Sequence, residues 1–161
     1  SIPRGGACVL DIGCGSGSMF MDLLEGGACE IEGLDISGGM VEAAKEKFCF
    51  DPRIHVEKGD FLTHEQPGYD VLMAFNSYQH FLQPRVFLKK ARELLRPCGR
   101  LTIAFPFDRE HTNTISAILP AGFARGLLTA KEEAVFWREW FDIDCICDNT
   151  SLYLLSGVAK D

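Results

Sequence analysis

A short apolar run, Cys8 to Ile12, ends on a turn with glycine at every second position, Gly13-Cys14-Gly15-Ser16-Gly17. Helix-compatible residues from Met19 follow at once. The run reads as a buried strand. Glycine in the turn admits backbone angles closed to other residues and lets a ligand approach the main chain without a Cβ in the way. The helix that follows opens with unpaired N–H groups, which favour a carboxylate or a phosphate. Strand, tight turn and helix in this order commit the chain to a βα unit with a ligand site at the carboxyl end of a parallel strand. Glycines also serve tight turns for structural reasons alone, so the neighbouring residues decide which ligand is meant.

A dinucleotide fingerprint needs G-x-G-x-x-G, and its third glycine would fall at Ser18. This chain has an acid followed by G-x-G-x-G: Asp11, Gly13, Gly15, Gly17. An acid two residues before the first glycine repels a pyrophosphate and suits an ammonium or another cation. The stretch closely resembles the first motif of the class I S-adenosylmethionine (SAM)-dependent methyltransferases. The resemblance runs from about Ala7 to Lys160. It implies SAM as cofactor, bound around Asp11, Gly13, Cys14, Gly15 and Gly17.

Downstream, Met19, Phe20, Leu23 and Leu24 recur at helical spacing up to the stop Gly26-Gly27. Glu30 to Ile36 reads as a second strand, with Asp35 eighteen residues beyond Gly17. That position suits an acid that accepts hydrogen bonds from ribose hydroxyls; the alternative is a helix N-terminal acid placed for the macrodipole. Ser37 caps a helix with Val41, Ala44 and Phe48 on its apolar side. The resemblance places Ile36 and Met40 beside the adenosine, although Met40 reads equally as first-turn core. Arg53 to Lys58 forms a third strand closed by Gly59-Asp60-Phe61. The resemblance gives Asp60 and Phe61 to the adenine; the alternative is a plain strand-end turn. His55 and His64 read as solvent-side residues.

Tyr69 to Phe75 is a fourth strand, continuously apolar from Val71 as in the centre of a parallel sheet. It runs into the polar Asn76-Ser77-Tyr78-Gln79-His80. Pro84 begins a helix that turns Val86, Phe87, Ala91, Leu94 and Leu95 inward, with Lys89, Lys90, Arg92 and Arg96 solvated. Pro97-Cys98-Gly99 breaks it before a fifth strand, Arg100 to Phe105; L-L-R-P-x-G-x-L is a further match to the family. From Pro106 to Leu128 the periodicity loosens, and a substrate-side insertion is expected. Thr129 to Glu132 is a capping box for a helix through Trp140. Phe141 to Cys147 and Leu152 to Ala159 alternate as strands. The few residues between them allow only an antiparallel hairpin.

The expected fold is therefore α/β, a three-layer sandwich on a mostly parallel seven-stranded sheet with a C-terminal antiparallel hairpin, in one domain over 1–161. Members of the family usually carry helices before the first strand that cover the cofactor. The chain starts at Ser1, close to its first strand, so an upstream segment or a partner subunit is expected to supply that cover.

The resemblance implies methyl transfer by in-line displacement, in which the enzyme mainly aligns the reactants and excludes water. Tyr78 and His80 are the candidates for a base; imidazole titrates near neutrality, and packing or a backbone hydrogen bond is an equal reading of His80. Asn76 and Ser77 are expected to hydrogen-bond the cofactor. The formal charge of −7 over 161 residues argues against nucleic acid or an anionic membrane as partner. The N-P-P-Y-type loop of nucleic-acid amino methyltransferases is replaced by Asn76-Ser77-Tyr78-Gln79, and the cytosine-directed Pro-Cys nucleophile is missing. A small-molecule acceptor is the expectation. The seven cysteines show no metal-ligand spacing; they read as buried thiols in a reducing cytoplasm, with no metal site. A SAM-binding module without catalysis is the alternative. An NAD-dependent oxidoreductase is opposed by Asp11, Ser18 and the terminal hairpin.

Overall fold

The computed structural model describes residues 5–160. The first apolar run forms β1 (Ala7–Ile12), and α1 (Phe20–Glu25) follows the glycine turn. Next come β2 (Ala28–Asp35), α2 (Gly38–Phe48) and β3 (Ile54–Lys58). Ser37 caps α2 by accepting a hydrogen bond from the Met40 N–H. A 3-10 turn, Phe61–Thr63, leads to β4 (Tyr69–Phe75), and a second, Tyr78–His80, leads to α3 (Pro84–Leu94). After β5 (Leu95–Phe105) come α4 (Arg109–Ile118), α5 (Ala130–Trp137), β6 (Phe141–Asp148) and β7 (Tyr153–Ala159).

The seven strands form one sheet in the order β3-β2-β1-β4-β5-β7-β6. The first five run parallel, and β7 lies antiparallel between β5 and β6. The chain winds outward from β1 to β3 and then returns to pair β4 on the other side of β1. This reversal opens a crevice at the carboxyl ends of β1 and β4, where open α/β sheets hold their ligands. Alternating strand residues feed two cores. Val9, Ile31 and Ile54 pack with Phe20, Ala44 and Phe48 of α1 and α2 on one face. Leu10, Leu72 and Leu101 pack with Phe87 of α3 and Trp137 of α5 on the other. No helix among the described residues is long and apolar enough to cross a membrane.

Several local expectations change. The loose stretch after β5 contains a helix, α4, because Asp108 caps it by accepting the His111 N–H at 2.7 Å. The helix from the capping box stops at Trp137, short of Trp140. Strand β5 begins five residues early: Leu95 pairs with Tyr69 before the register jumps to Val71 and Arg100. The Pro97-Cys98-Gly99 break is thus a bulge inside the strand, with Cys98 at φ +61°. Val86 is exposed and not in the core. Four cysteines, Cys29, Cys49, Cys98 and Cys145, are exposed, since only Cys14 meets a fully packed face. His64 is packed against Tyr69 and is not on the solvent side.

Gly17 shows how tightly the first turn is set. It has φ +81°, and a Cβ there would lie 2.6 Å from the Phe20 ring and 2.7 Å from the Phe48 ring. Gly17→Ala should destabilise the fold by about 1–3 kcal/mol through backbone strain and overpacking. The measurement is a urea midpoint at constant slope; an unchanged midpoint would mean that the two rings repack at no cost.

Candidate functional site

The carboxyl ends of β1, β2 and β4 and the turns beyond them line a cavity of about 710 Å³. At its floor the two central strands are drawn together. The Ser77 hydroxyl donates to the Ile12 carbonyl at 2.6 Å, and a Cβ on Gly13 would lie 2.6 Å from the Ser77 Cβ. Gly13 (φ +69°) is therefore required both by its backbone angle and by this close approach. Asn76 sits at φ +52°, a left-handed turn that asparagine tolerates, and ends β4 there.

Asp35 ties the first two loops to each other. Its Oδ2 accepts the Gly15 N–H and its Oδ1 accepts the Ser37 N–H, each at 2.8 Å. Each oxygen keeps further lone-pair capacity, enough for a pair of hydroxyls. Beside it Ile36 and Met40 face the cavity as exposed apolar side chains, so Met40 is not core. Asp60 accepts the Leu62 N–H at 2.9 Å and caps the 3-10 turn, with Phe61 buried behind it against Phe81 and Phe87. Of the residues singled out in the sequence, Gly13, Gly15, Asp35, Ile36 and Met40 meet Asp60, Phe61, Asn76, Ser77 and His80 around one cavity.

Four others do not line it. Gly17 is a packing residue under Phe20 and Phe48. Cys14 is buried, and burial, followed by the charges of Asp11 and Asp35, pushes its thiol up to about 12. Asp11 lies behind the turn, 1 % exposed, and its Oδ1 has no hydrogen-bond partner among the described residues. Burial, with the Asp35 charge second, pushes the Asp11 carboxyl up to about 7.

Tyr78 is the fourth, and the expectation of a base there is corrected. It is fully buried, its hydroxyl donates to Glu133 Oε2 at 3.1 Å, and burial and the Glu133 charge raise its pKa well above the usual phenol range. A phenol held so firmly as a donor does not take protons from a ligand.

His80 is placed differently. Its Nδ1 lies 2.8 Å from the Phe123 carbonyl oxygen. A carbonyl only accepts, so Nδ1 carries the proton, and the neutral ring leaves its lone pair on Nε2. Phe123 comes from the stretch between α4 and α5, and Arg125 holds that stretch in place. The Arg125 N–H donates to Gln79 O at 2.9 Å, its Nε to Phe81 O at 3.1 Å, and its guanidinium pairs with the fully buried Glu133 of α5. The same guanidinium covers the Tyr78 ring at 4.7 Å. Phe123, Arg125 and Glu133 escaped the sequence reading because they fall in or just after its least periodic segment. Leu82, two residues before α3, and Val86 in its first turn also line the cavity.

Among the described residues no lysine or arginine lines the cavity. The lining fits SAM: two free acceptor sites on Asp35 for its ribose, apolar walls for its adenine and the carbons around its sulfur, and the Asp11 carboxyl behind the glycine turn as a nearby negative charge for its ammonium. It does not fit a pyrophosphate.

Comparison with known proteins agrees with this geometry. A family model for a methyltransferase domain matches residues 10–101. The 27-O-demethylrifamycin SV methyltransferase of Amycolatopsis mediterranei is 31% identical over 105 residues, 62% of this chain and 39% of that protein. The mitochondrial ubiquinone biosynthesis O-methyltransferase of Schizosaccharomyces pombe is 32% identical over 104 residues, 62% of this chain and 38% of that protein. The chain thus spans under half the length of these relatives. Its fold matches the N-methyltransferase NodS from Bradyrhizobium japonicum, solved with S-adenosyl-L-homocysteine, with a TM-score of 0.75 at 14% identity over 98% of this chain and 80% of that one. Since the matched span contains the glycine turn, Asp35, Asp60 and His80, the chain belongs to the methyltransferase domain family, with the class I SAM-dependent fold.

Proposed function

We propose that this chain binds SAM and serves methyl transfer to a hydroxyl of a small, largely apolar acceptor, with His80 as proton acceptor. The observation that carries the reading is one cavity in which Asp35, the bare glycine turn and a His80 with a free Nε2 face one another. Asp35 holds the ribose, Asp60 and the Phe61 N–H hold the adenine, and Asp11, enclosed behind the glycine turn, favours the ammonium through its charge and without contact. Asn76 and Ser77 shape the floor between them. SAM, when bound, supplies a methyl group already activated on a sulfonium. The chain's remaining tasks are to align the acceptor, keep water out and remove a proton. The Nε2 of His80 takes that proton, and the Phe123 carbonyl stabilises the imidazolium through Nδ1–H.

The acceptor class follows from the lining. Leu62, Leu82, Val86 and Phe123 present apolar surface, and the absence of a lining lysine or arginine among the described residues disfavours a phosphate or carboxylate. The O-methyl chemistry named for the two relatives points to a hydroxyl. The formal charge of −7 speaks against nucleic acid. The apolar rim stands open, with Ile36 71 % and Phe123 63 % exposed. We assign its cover to a segment upstream of β1 or to a partner subunit. Four exposed thiols suit a reducing compartment, and we place the protein in the cytoplasm.

Calorimetric titration with SAM, S-adenosylhomocysteine and NAD tests the cofactor: the first two should bind and NAD should not. Asp35→Ala should weaken SAM binding by about 1.5–3 kcal/mol, the scale for hydrogen bonds to a charged group. NAD binding alone would overturn the reading. For the base, release of S-adenosylhomocysteine is followed with a panel of hydroxylated aromatic acceptors. His80→Gln should lower turnover about a hundredfold or more and leave SAM affinity unchanged. SAM binding with no His80-dependent turnover would favour the non-catalytic module.

Asp11 makes a pH prediction. In the ligand-free protein its carboxyl holds its proton more tightly than in the unfolded chain, where the value is 3.8. Its contribution to stability is full below that value and is lost as pH rises through about 7. Asp11→Asn should flatten that decline in urea midpoints, and SAM should restore more stability at high pH to the wild type than to the variant. Parallel curves would show that Asp11 is not the group responsible.

A further inference from the structure

Away from the cofactor cavity, three side chains from separate elements converge at the β3 edge of the sheet. They are Glu32 in the middle of β2, Glu57 in β3 and His64, which ends the first 3-10 turn. One donor atom from each lies within 4.8 Å of the other two. Ile31 and Val56 point into the core with α1 and α2, so Glu32 and Glu57, one residue along, share the opposite face.

The hydrogen bonds fix which lone pairs are left. The Tyr69 hydroxyl gives its single proton to Glu32 Oε2 at 2.5 Å, so it accepts from His64 Nε2 at 2.9 Å. With Nε2 protonated, the neutral ring keeps its lone pair on Nδ1, and that atom faces Glu57 Oε1 at 3.6 Å. The free Oε1 of Glu32 lies 3.6 Å from Nε2, the nitrogen that carries the proton. These gaps are too long for hydrogen bonds, and at Glu57 acceptor faces acceptor. Neither carboxylate pairs with a lysine or arginine among the described residues. A cation between the two carboxylates and the imidazole gives the acceptor pair at Glu57 and Nδ1 a common partner and lies within reach of the free oxygen of Glu32.

We propose that Glu32, Glu57 and His64 bind a divalent transition-metal ion of the zinc type. One imidazole and two carboxylates match its ligand preferences, with water completing a tetrahedron. Bonds of about 2.0–2.2 Å place tetrahedral ligand atoms about 3.3–3.6 Å apart, so a cluster within 4.8 Å has only to contract. The exposures favour this: the side chains of His64 and Glu32 are 8 % and 15 % exposed, whereas Glu57 is 59 % exposed and free to swing in. The chain Nε2–H to Tyr69 to Glu32 orients the imidazole from behind, as second contacts do at metal-binding histidines. The ion pins the end of the 3-10 turn, whose Asp60 and Leu62 wall the cofactor cavity, to the sheet. The three ligands are separated by 25 and 7 residues in the chain, which is why no compact metal motif is visible.

The test uses the full chain after removal of metals with a chelator, titrated with Co²⁺ and Zn²⁺. One equivalent should bind, the Co²⁺ form should absorb in the visible without a sulfur charge-transfer band, and Tm should rise by a few degrees. Glu57→Gln and His64→Gln should each weaken binding about tenfold or more. Glu57→Gln removes only an exposed ligand and should keep the metal-free Tm, so it remains informative if His64→Gln folds poorly. No stoichiometric binding, wild-type affinity in Glu57→Gln, or a thiolate spectrum from the exposed cysteines would each overturn the site.

Discussion

The carboxyl ends of β1 and β4 approach so closely that the Ser77 hydroxyl reaches the Ile12 carbonyl at 2.6 Å, with space for no side chain at Gly13. The rest of the site depends on that contact. It sets the floor of the crevice at the point where the winding of the sheet reverses, and it fixes where the turns after β1 and β4 begin. Asp35 then reaches across from β2 to the Gly15 N–H, so three strand ends are locked by two polar contacts. A methyl-transfer site gains from such rigidity, because its work is alignment more than bond activation.

A second lock acts from the far side. The pair between Arg125 and Glu133 is buried, and a buried pair is a weak source of net stability because desolvation offsets the attraction. Its consequence here is geometric. Arg125 bonds to the carbonyls of Gln79 and Phe81, and Glu133 receives the Tyr78 hydroxyl, so the segment after β4 and the insertion after α4 are held as one piece. That piece presents the Phe123 carbonyl to His80 and selects the tautomer of the imidazole. Tyr78, whose chemistry looked suitable for a base, is consumed in holding its neighbour.

The acids divide by environment. Asp35 meets two N–H groups and the cavity, whereas Asp11 is enclosed with an unpaired oxygen and a neighbouring negative charge. Its raised pKa marks it as a site that needs a cation beside it once ionised. The same need appears at Glu32 and Glu57, on the other side of β2, where the partner proposed is a metal ion. One strand thus separates two carboxylate clusters with different demands.

The sequence by itself determined the parts that depend on short-range order. The apolar run into Gly13, the cap at Ser37, the continuous run of β4 and the capping box at Thr129 each rest on a few adjacent residues, and all stand in the structure. The hairpin also followed from chain length alone, since too few residues join β6 and β7 for a crossover. Tertiary structure decided what needs distant residues to meet. His64 left the solvent because Tyr69 and Glu32 are offered to it across two strands. Tyr78 lost its role because Glu133, 55 residues away, lies under its hydroxyl. His80 gained its tautomer from Phe123, 43 residues away, in a segment with no readable period. Periodicity records which face of an element is buried, but a proton's position depends on which group stands opposite, and only the fold brings that group there.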